Sequence, residues 1–318
     1  MKKKFYGGEH REVYNIRTTT EDKYMPDSQG ERRSLLKGIS RCREITRRYG
    51  TSFYFATQFF PAETRDGIYG IYAFARIPDE IVDGPGSGDK AAALENLKNW
   101  RDEWLTAMER GGSDDEVMNA IVHTFRRYGI PKEDGEAFLR SMFMDEEKSE
   151  YADYNELEEY MYGSAGVIGL MVTRIVGYSS ADAFPYAVNL GYAFQVTNFL
   201  RDIREDYEEL GRVYMPQDEL RRFGLDNGDI SRRTHDERFI EFMKFQIRRN
   251  RELYRKALPG IKMLHWRGRL AVRISYVLYK AILAEIERAS YNVYNGRVRT
   301  NLRQKLWLSA KALAGVYE

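Results

Sequence analysis

Two acidic clusters, Asp79-Glu-Ile-Val-Asp83 and Asp202-Ile-Arg-Glu-Asp206, carry the strongest chemical signal in the chain. Each sets two aspartates four residues apart, a spacing that puts both carboxylates on one face of a helix. Paired carboxylates facing one space suit Mg²⁺, a hard cation that takes its remaining oxygens from water or a phosphate. The clusters are far apart in sequence. A fold that brought them together would build a two-walled magnesium cage able to ionise a diphosphate.

The helices that must present these groups are legible around them. In the run from Gly191 to Asp206, residues Gln195, Asn198, Asp202 and Asp206 fall within an arc of roughly 80° at helical pitch. Val196, Phe199 and Ile203 crowd one side of this seam and Phe194 borders the other. Polar groups enclosed in that way need partners, which a metal and its ligand would supply. Tyr69, Tyr72, Arg76, Asp79 and Asp83 repeat the arrangement. Arg76 can hold two diphosphate oxygens at once, and the tyrosines offer a hydroxyl to a headgroup or a ring face to a carbocation. Pro78 predicts a kink just ahead of the first cluster. A lone D-x-x-x-D is common on a solvated helix face, where it costs about 0.2–0.5 kcal/mol of repulsion. Two of them, each aligned with a polar stripe in an apolar segment, favour the metal reading.

Composition narrows the class. Fifty basic against 48 acidic residues leave no global field to attract nucleic acid or an anionic membrane. The single cysteine, Cys42, excludes an internal disulfide and any cysteine zinc cage, and His10, His123, His235 and His265 are scattered. Lys2-Lys3-Lys4 is followed by polar residues rather than a signal peptide's apolar region, and Ala165 to Gly177 is too short to span a bilayer. These features predict a soluble protein of a reducing, cytoplasmic compartment.

Residues 1–33 read as a polar leader, flexible or strap-like, and residues 34–318 as a single helical domain. From about Leu35 apolar residues recur at helical spacing, and prolines at 61, 85, 131, 185, 216 and 259 sit where helices should start or stop. Loops are expected at 84–89, 111–114 and 226–229. The fold class is therefore all-α, with no run of alternating strands.

Several segments together resemble the squalene/phytoene synthase family of head-to-head prenyl transferases. They are Gly50-Thr-Ser-Phe-Tyr-Phe-Ala-Thr-Gln-Phe-Phe-Pro61, Arg76-Ile-Pro-Asp-Glu-Ile-Val-Asp83 and Tyr160-Met-Tyr-Gly-Ser-Ala-Gly-Val-Ile-Gly169. The most specific is Gln195-x-x-Asn198-x-x-Arg201-Asp202-x-x-x-Asp206, followed by Gly211-Arg-Val-Tyr-Met-Pro-Gln-Asp-Glu-Leu220. The likeness covers about residues 49–308 and is strongest to bacterial and archaeal phytoene synthases. It implies the class I isoprenoid synthase bundle, with a central cavity between the acidic walls. It also implies metal ligation by Asp79 and Asp83 on one wall and by Asn198, Asp202 and Asp206 on the other.

The same resemblance assigns diphosphate or substrate contacts to Tyr72, Arg76, Tyr160, Gln195, Arg201, Arg212, Tyr214, Tyr279 and Arg297. Ser52 and Phe53 fall in the flap over the substrates, where the family often carries a basic residue at the position of Thr51. The implied reaction joins two geranylgeranyl diphosphates through a cyclopropylcarbinyl diphosphate to give phytoene, with Mg²⁺ or Mn²⁺ as cofactor. One alternative joins two farnesyl diphosphates to squalene or dehydrosqualene, with NADPH required for squalene. A reading of another class is a silent helical homologue acting as lipid carrier or assembly subunit, which would be expected to lose the aspartates.

Other features admit two readings. Gly84-Pro-Gly-Ser-Gly88 lacks the strand and Gly-Lys-Ser/Thr of a phosphate loop and reads as a mobile loop beside Asp83. Gly163, Gly166 and Gly169 serve either close helix contact or a helix break at the cavity, the break being preferred. Met144-Asp-Glu-Glu147 reads as a solvated acidic face. Phe53, Tyr72 and Phe199 are either packing residues or cation-stabilising cavity aromatics. The amphipathic, basic Leu302 to Leu313 either packs on the bundle or makes peripheral membrane contact. Oligomeric state leaves no mark on the sequence.

Overall fold

The computed structural model describes residues 28–84 and 89–315. The expected leader up to residue 27 and the expected mobile loop at 85–88 lie outside the described residues. In chain order the helices are α1 (Gln29–Tyr49), α2 (Thr51–Thr57), α3 (Ala62–Asp83), α4 (Lys90–Arg110), α5 (Glu116–Arg127), α6 (Lys132–Glu147) and α7 (Tyr154–Met161). A π-helical turn (Tyr162–Gly166) joins α7 to α8 (Val167–Val176). Then follow α9 (Ala183–Leu210), α10 (Gln217–Arg222), α11 (Asn227–Ser231), α12 (Glu237–Ile261), α13 (Trp266–Arg288) and α14 (Leu302–Leu313). No β-strand occurs among the described residues, which contain only two isolated bridge pairs. The fold is an all-α bundle, as the helical spacing predicts.

Short polar side chains set the helix starts. Ser28 accepts from the Glu31 N–H, Asp115 from Met118 and Asp236 from Phe239, each satisfying a backbone donor that a helix start leaves free. The cap at Ser28 starts α1 at Gln29, ahead of the domain boundary expected at residue 34. Glu31, Arg32 and Arg33 are polar because that face of the helix is exposed. Pro61, Pro131 and Pro216 each immediately precede a helix, as their spacing predicts. The segment 226–229 corrects its expected loop, because Asp226 and Asp229 form a capping box that opens α11. Helix α3 continues through a buried Pro78 as far as Asp83.

The core is aromatic around Phe74 of α3, whose ring centroid lies 5.0 Å from Phe125, 5.2 Å from Trp104 and 5.4 Å from Phe138. Such pairs add about 0.5–1.5 kcal/mol each beyond the area they bury. Cys42 is buried in this core, and burial pushes its thiol up to about 12. The longest helix, α9, runs through the bundle and packs against α8, α12 and α13.

The glycine stripe both changes the helix and closes a contact. A Cβ on Gly169 would lie 2.4 Å from the Ala187 carbonyl oxygen, and one on Gly163 would lie 2.5 Å from that of Ala137. The preferred break is thus a π turn rather than an interruption, while Gly169 lets α8 approach α9 and Gly163 lets the π turn approach α6.

Candidate active site

A cavity of about 750 Å³ opens among α3, the π turn, α8, α9, α12 and α13. Its upper part is polar, with Tyr72, Gln195, Asn198, Arg201, Tyr279 and Arg297 among its walls. Below them it is apolar, lined by residues such as Ile68, Ile71, Ile168, Val172, Leu190 and Ile282. Asp79, Asp83 and Asp202 accept from arginines near the polar end, and none of the four aspartates is among the residues that line the cavity.

On α3, Arg76 donates to Asp79 and to Glu80, and its guanidinium lies 4.6 Å from the Tyr49 ring centroid. Burial pushes the Asp79 carboxyl up to about 6, against relief from Arg76, and the charges of Asp83 and Glu80 push it further. Solvent still reaches 34% of this side chain, so the repulsion is partly screened. Asp83 is also raised by burial, and it accepts from Arg212 Nη1 at 2.7 Å. Tyr72 stacks on Phe53 of α2 at 5.2 Å, and burial pushes its hydroxyl up to about 12. Gly50 lies against that hydroxyl, where a Cβ would approach to 2.7 Å. Nothing is described of the Ser52 side chain.

On α9, Asp202 is only 8% exposed. It accepts from Arg201 Nε and Nη2 at 2.7 and 2.5 Å and from Arg297 Nε and Nη2 at 2.9 and 2.6 Å. Against burial, which raises it, the two arginines hold its carboxyl below the ordinary range. Asp206 behaves oppositely. Burial, then the charges of Asp202 and Glu205, push it well above the ordinary range. Tyr279 of α13 stacks on Phe194 at 4.3 Å and faces the same cavity.

The walls meet through Arg212. Its backbone N–H donates to the Asp206 carbonyl at 2.9 Å, while its side chain reaches Asp83 on the opposite wall. Its Nε donates to the Asp145 carbonyl at 3.0 Å. Asp145 corrects the expected solvated face. It is buried, and its two carboxylate oxygens accept from Tyr160 at 2.8 Å and Tyr214 at 2.9 Å. Burial pushes this carboxyl up to about 7.

Tyr160 and Tyr214, expected at the substrate, are instead buried among Tyr151 and Phe199 and are not among the cavity walls. Phe199 is likewise a packing residue, stacked on Tyr214 at 4.3 Å. Sequence reasoning missed Asp145, and also Glu80 as the second partner of Arg76. The i, i+4 spacing of Arg76 and Glu80 was the available signal for that pair.

The site fits a divalent metal through its donor chemistry. It offers oxygen ligands only, and burial, with neighbouring carboxylate charge after it, raises Asp79 and Asp206, a cost that a hard dication would relieve. Among the described residues no three such side chains gather closely enough to hold an ion alone. Each wall instead presents a pair, which leaves coordination positions for water and ligand oxygens.

An all-helical bundle with an apolar cavity whose polar end carries arginines, beside two acidic helix segments, is the architecture of an isoprenoid synthase. Residues 46–304 match squalene/phytoene synthase, and the chain belongs to that family. It is 36% identical over 269 residues to a phytoene synthase of Arthrospira platensis, covering 80% of this chain and 86% of that one. A 15-cis-phytoene synthase of Synechococcus elongatus is 34% identical over 86% of this chain and 91% of its own. Among solved structures, a dehydrosqualene synthase superposes with a TM-score of 0.82 at 23% identity, over 89% of this chain and 98% of that one. A squalene synthase of Alicyclobacillus acidocaldarius gives 0.73 at 26% identity, over 81% and 96%.

Proposed function

We propose that this protein is a phytoene synthase, a prenyltransferase of carotenoid biosynthesis that joins two C20 geranylgeranyl diphosphates head to head. The observation that carries this reading is the agreement of phytoene synthases over most of the chain with a cavity deep enough for a C20 tail. On α9 the cavity walls run from Asn198 to Ala183. That is about 22 Å of helical rise, against roughly 20 Å for four isoprene units end to end.

The diphosphates would lie at the polar end, bound by Arg76, Arg201 and Arg297 with Tyr72, Gln195 and Tyr279 beside them. Mg²⁺ or Mn²⁺, ligated by Asp79 and Asp83 on one wall and Asn198, Asp202 and Asp206 on the other, would supply the charge that lets diphosphate depart. The cation formed from one substrate attacks the double bond of the second, and loss of a proton closes a cyclopropylcarbinyl diphosphate. A second ionisation, rearrangement and proton loss give phytoene, with no call on NADPH. Tyr72, Phe53 and Tyr279 offer ring faces to the cations, and the apolar lining keeps water from quenching them.

Helix α14 supports a further element of this reading. One face packs on α13 through buried Ser309 and Ala312, while Leu306, Trp307 and Leu313 are exposed. These three, with Arg303, share an outward arc of about 120°, and Lys311 borders it. No helix among the described residues is long and apolar enough to cross a membrane. The enzyme would act in the cytoplasm with α14 on the membrane that receives its hydrocarbon product.

Incubating the protein with Mg²⁺ and C20 or C15 allylic diphosphate, with and without NADPH, tests the reading. A C40 product without NADPH is expected. A C30 product from farnesyl diphosphate alone would transfer the assignment to the dehydrosqualene branch. No hydrocarbon from a folded protein would favour the silent carrier.

A further inference from the structure

Asp145 touches neither the cavity nor the four rim aspartates, yet it is the most heavily engaged carboxylate behind them. Its side chain ties Tyr160, on α7, to Tyr214, on the segment after α9. Tyr214 stacks on Phe199, one residue after Asn198 on α9. The Asp145 main-chain carbonyl accepts from Arg212 Nε, and the same guanidinium reaches Asp83 on α3 and lies 3.6 Å from Glu146. One residue of α6 therefore grips the backs of both acidic walls. Arg212 is enclosed, with its side chain 7% exposed, so its charge is shared among few carboxylates.

We propose that Asp145 is a positioning residue that sets the metal affinity of the rim through Arg212. The effect is electrostatic. The paired tyrosine hydroxyls hold the Asp145 carboxylate in place behind Arg212, whose Nε is received by the Asp145 carbonyl. The Asp145 charge draws on the Arg212 guanidinium, which weakens the hold of Arg212 on Asp83 and leaves that carboxylate free to bind a cation. Without this charge Arg212 would pair more tightly with Asp83 and compete with the metal. Groups one step removed from a metal typically change its affinity by about 10–100-fold when altered.

This inference rests on the metal-cage reading above, and one experiment separates the two. Mn²⁺ binding to the full chain is measured by the electron paramagnetic resonance of free Mn²⁺, with inorganic pyrophosphate present and no turnover. The wild type is expected to bind. Asp145→Asn, nearly isosteric, should bind about tenfold more weakly while keeping its thermal midpoint within a few degrees. Tyr214→Phe keeps the stacked ring and removes one hydroxyl, and it should weaken binding in the same direction by a smaller factor. In an Arg212→Gln background Asp145→Asn should add little, because the competing guanidinium is gone.

Unchanged Mn²⁺ affinity in Asp145→Asn overturns the proposal, as does a full tenfold loss that persists in the Arg212→Gln background. If Asp145→Asn does not fold, Tyr214→Phe with and without Arg212→Gln decides by the same criterion. A wild type that binds no Mn²⁺ with pyrophosphate would overturn the metal cage itself, and this inference with it.

Discussion

Arg297 and Asp202 stand 95 residues apart in sequence and meet as a two-pronged pair, Nε and Nη2 each donating to a different carboxylate oxygen at 2.9 and 2.6 Å. Arg201 holds the same two oxygens from the neighbouring position. Arginines thus occupy the Asp202 carboxylate on the second wall, as Arg212 occupies Asp83 on the first. Loading the site would exchange these partners. Under the proposed function, the aspartates would hold the cation and the guanidiniums would be freed to bind diphosphate oxygens.

Arg297→Gln should therefore damage substrate binding more than folding. A hydrogen bond to a charged group contributes about 1.5–3 kcal/mol. KM for the allylic diphosphate should rise about tenfold or more, with a thermal midpoint close to wild type because the Arg297 side chain is 41% exposed. Steady-state kinetics and a melting curve check both halves.

Asp79→Asn should separate stability from activity. The Asp79 carboxyl is raised from 3.8 to about 6, so the folded chain holds this proton more tightly than the unfolded chain. Its contribution to stability is complete below the lower value and is lost as pH rises through the higher one. The metal-free wild type should lose more stability than Asp79→Asn between pH 4 and pH 6, a difference readable in parallel denaturant titrations. Turnover of the variant at neutral pH should fall on the order of 10²–10³-fold, the scale seen when one transition-state contact is removed.

Ala187→Phe should change substrate length. Ala187 lines the cavity, about 16 Å along α9 from Asn198. A ring there would obstruct the last isoprene unit of a C20 chain and leave room for C15. Turnover of geranylgeranyl diphosphate should fall at least about tenfold relative to farnesyl diphosphate, which corresponds to roughly 1.4 kcal/mol. Product analysis with each substrate alone, and with both in competition, gives the ratio.

Trp307→Glu should release the protein from lipid. Burying a large apolar side chain contributes about 1.5–3 kcal/mol, so vesicle binding should weaken by at least about tenfold. Co-sedimentation with anionic vesicles measures it, and activity on detergent-dispersed substrate should be retained.

The acidic walls were legible because they are one-dimensional patterns. A polar seam within an apolar run survives in the sequence of α9 without knowledge of any neighbour. The cavity's upper rim, with Tyr72, Gln195, Asn198, Arg201, Tyr279 and Arg297, followed from family motifs and lies together in space. Asp145 was not legible. Its local run resembles any solvated acidic turn, and its burial is imposed by hydroxyls 15 and 69 residues away. Tyr160 and Tyr214 were misplaced for the same reason, since the sequence marks them as aromatic and polar without saying which end meets the cavity. The early start of α1 was hidden because an exposed helical turn and a loose leader share a composition.

The π turn at Tyr162–Gly166 sits between two jobs done by one stretch of chain. Above it Tyr160 answers to the ionic machinery, and below it Ile168 and Val172 answer to the hydrocarbon. An ordinary helix would lock those two faces at fixed angles, so that any adjustment to one would rotate the other. The extra residue of a π turn works as a phase shifter, offsetting the lower face by about 100°. The faces before and after the turn are thereby set at separate angles. Removing one residue from the turn would couple them again, turning Ile168 and Val172 off the cavity while Tyr160 stayed in place.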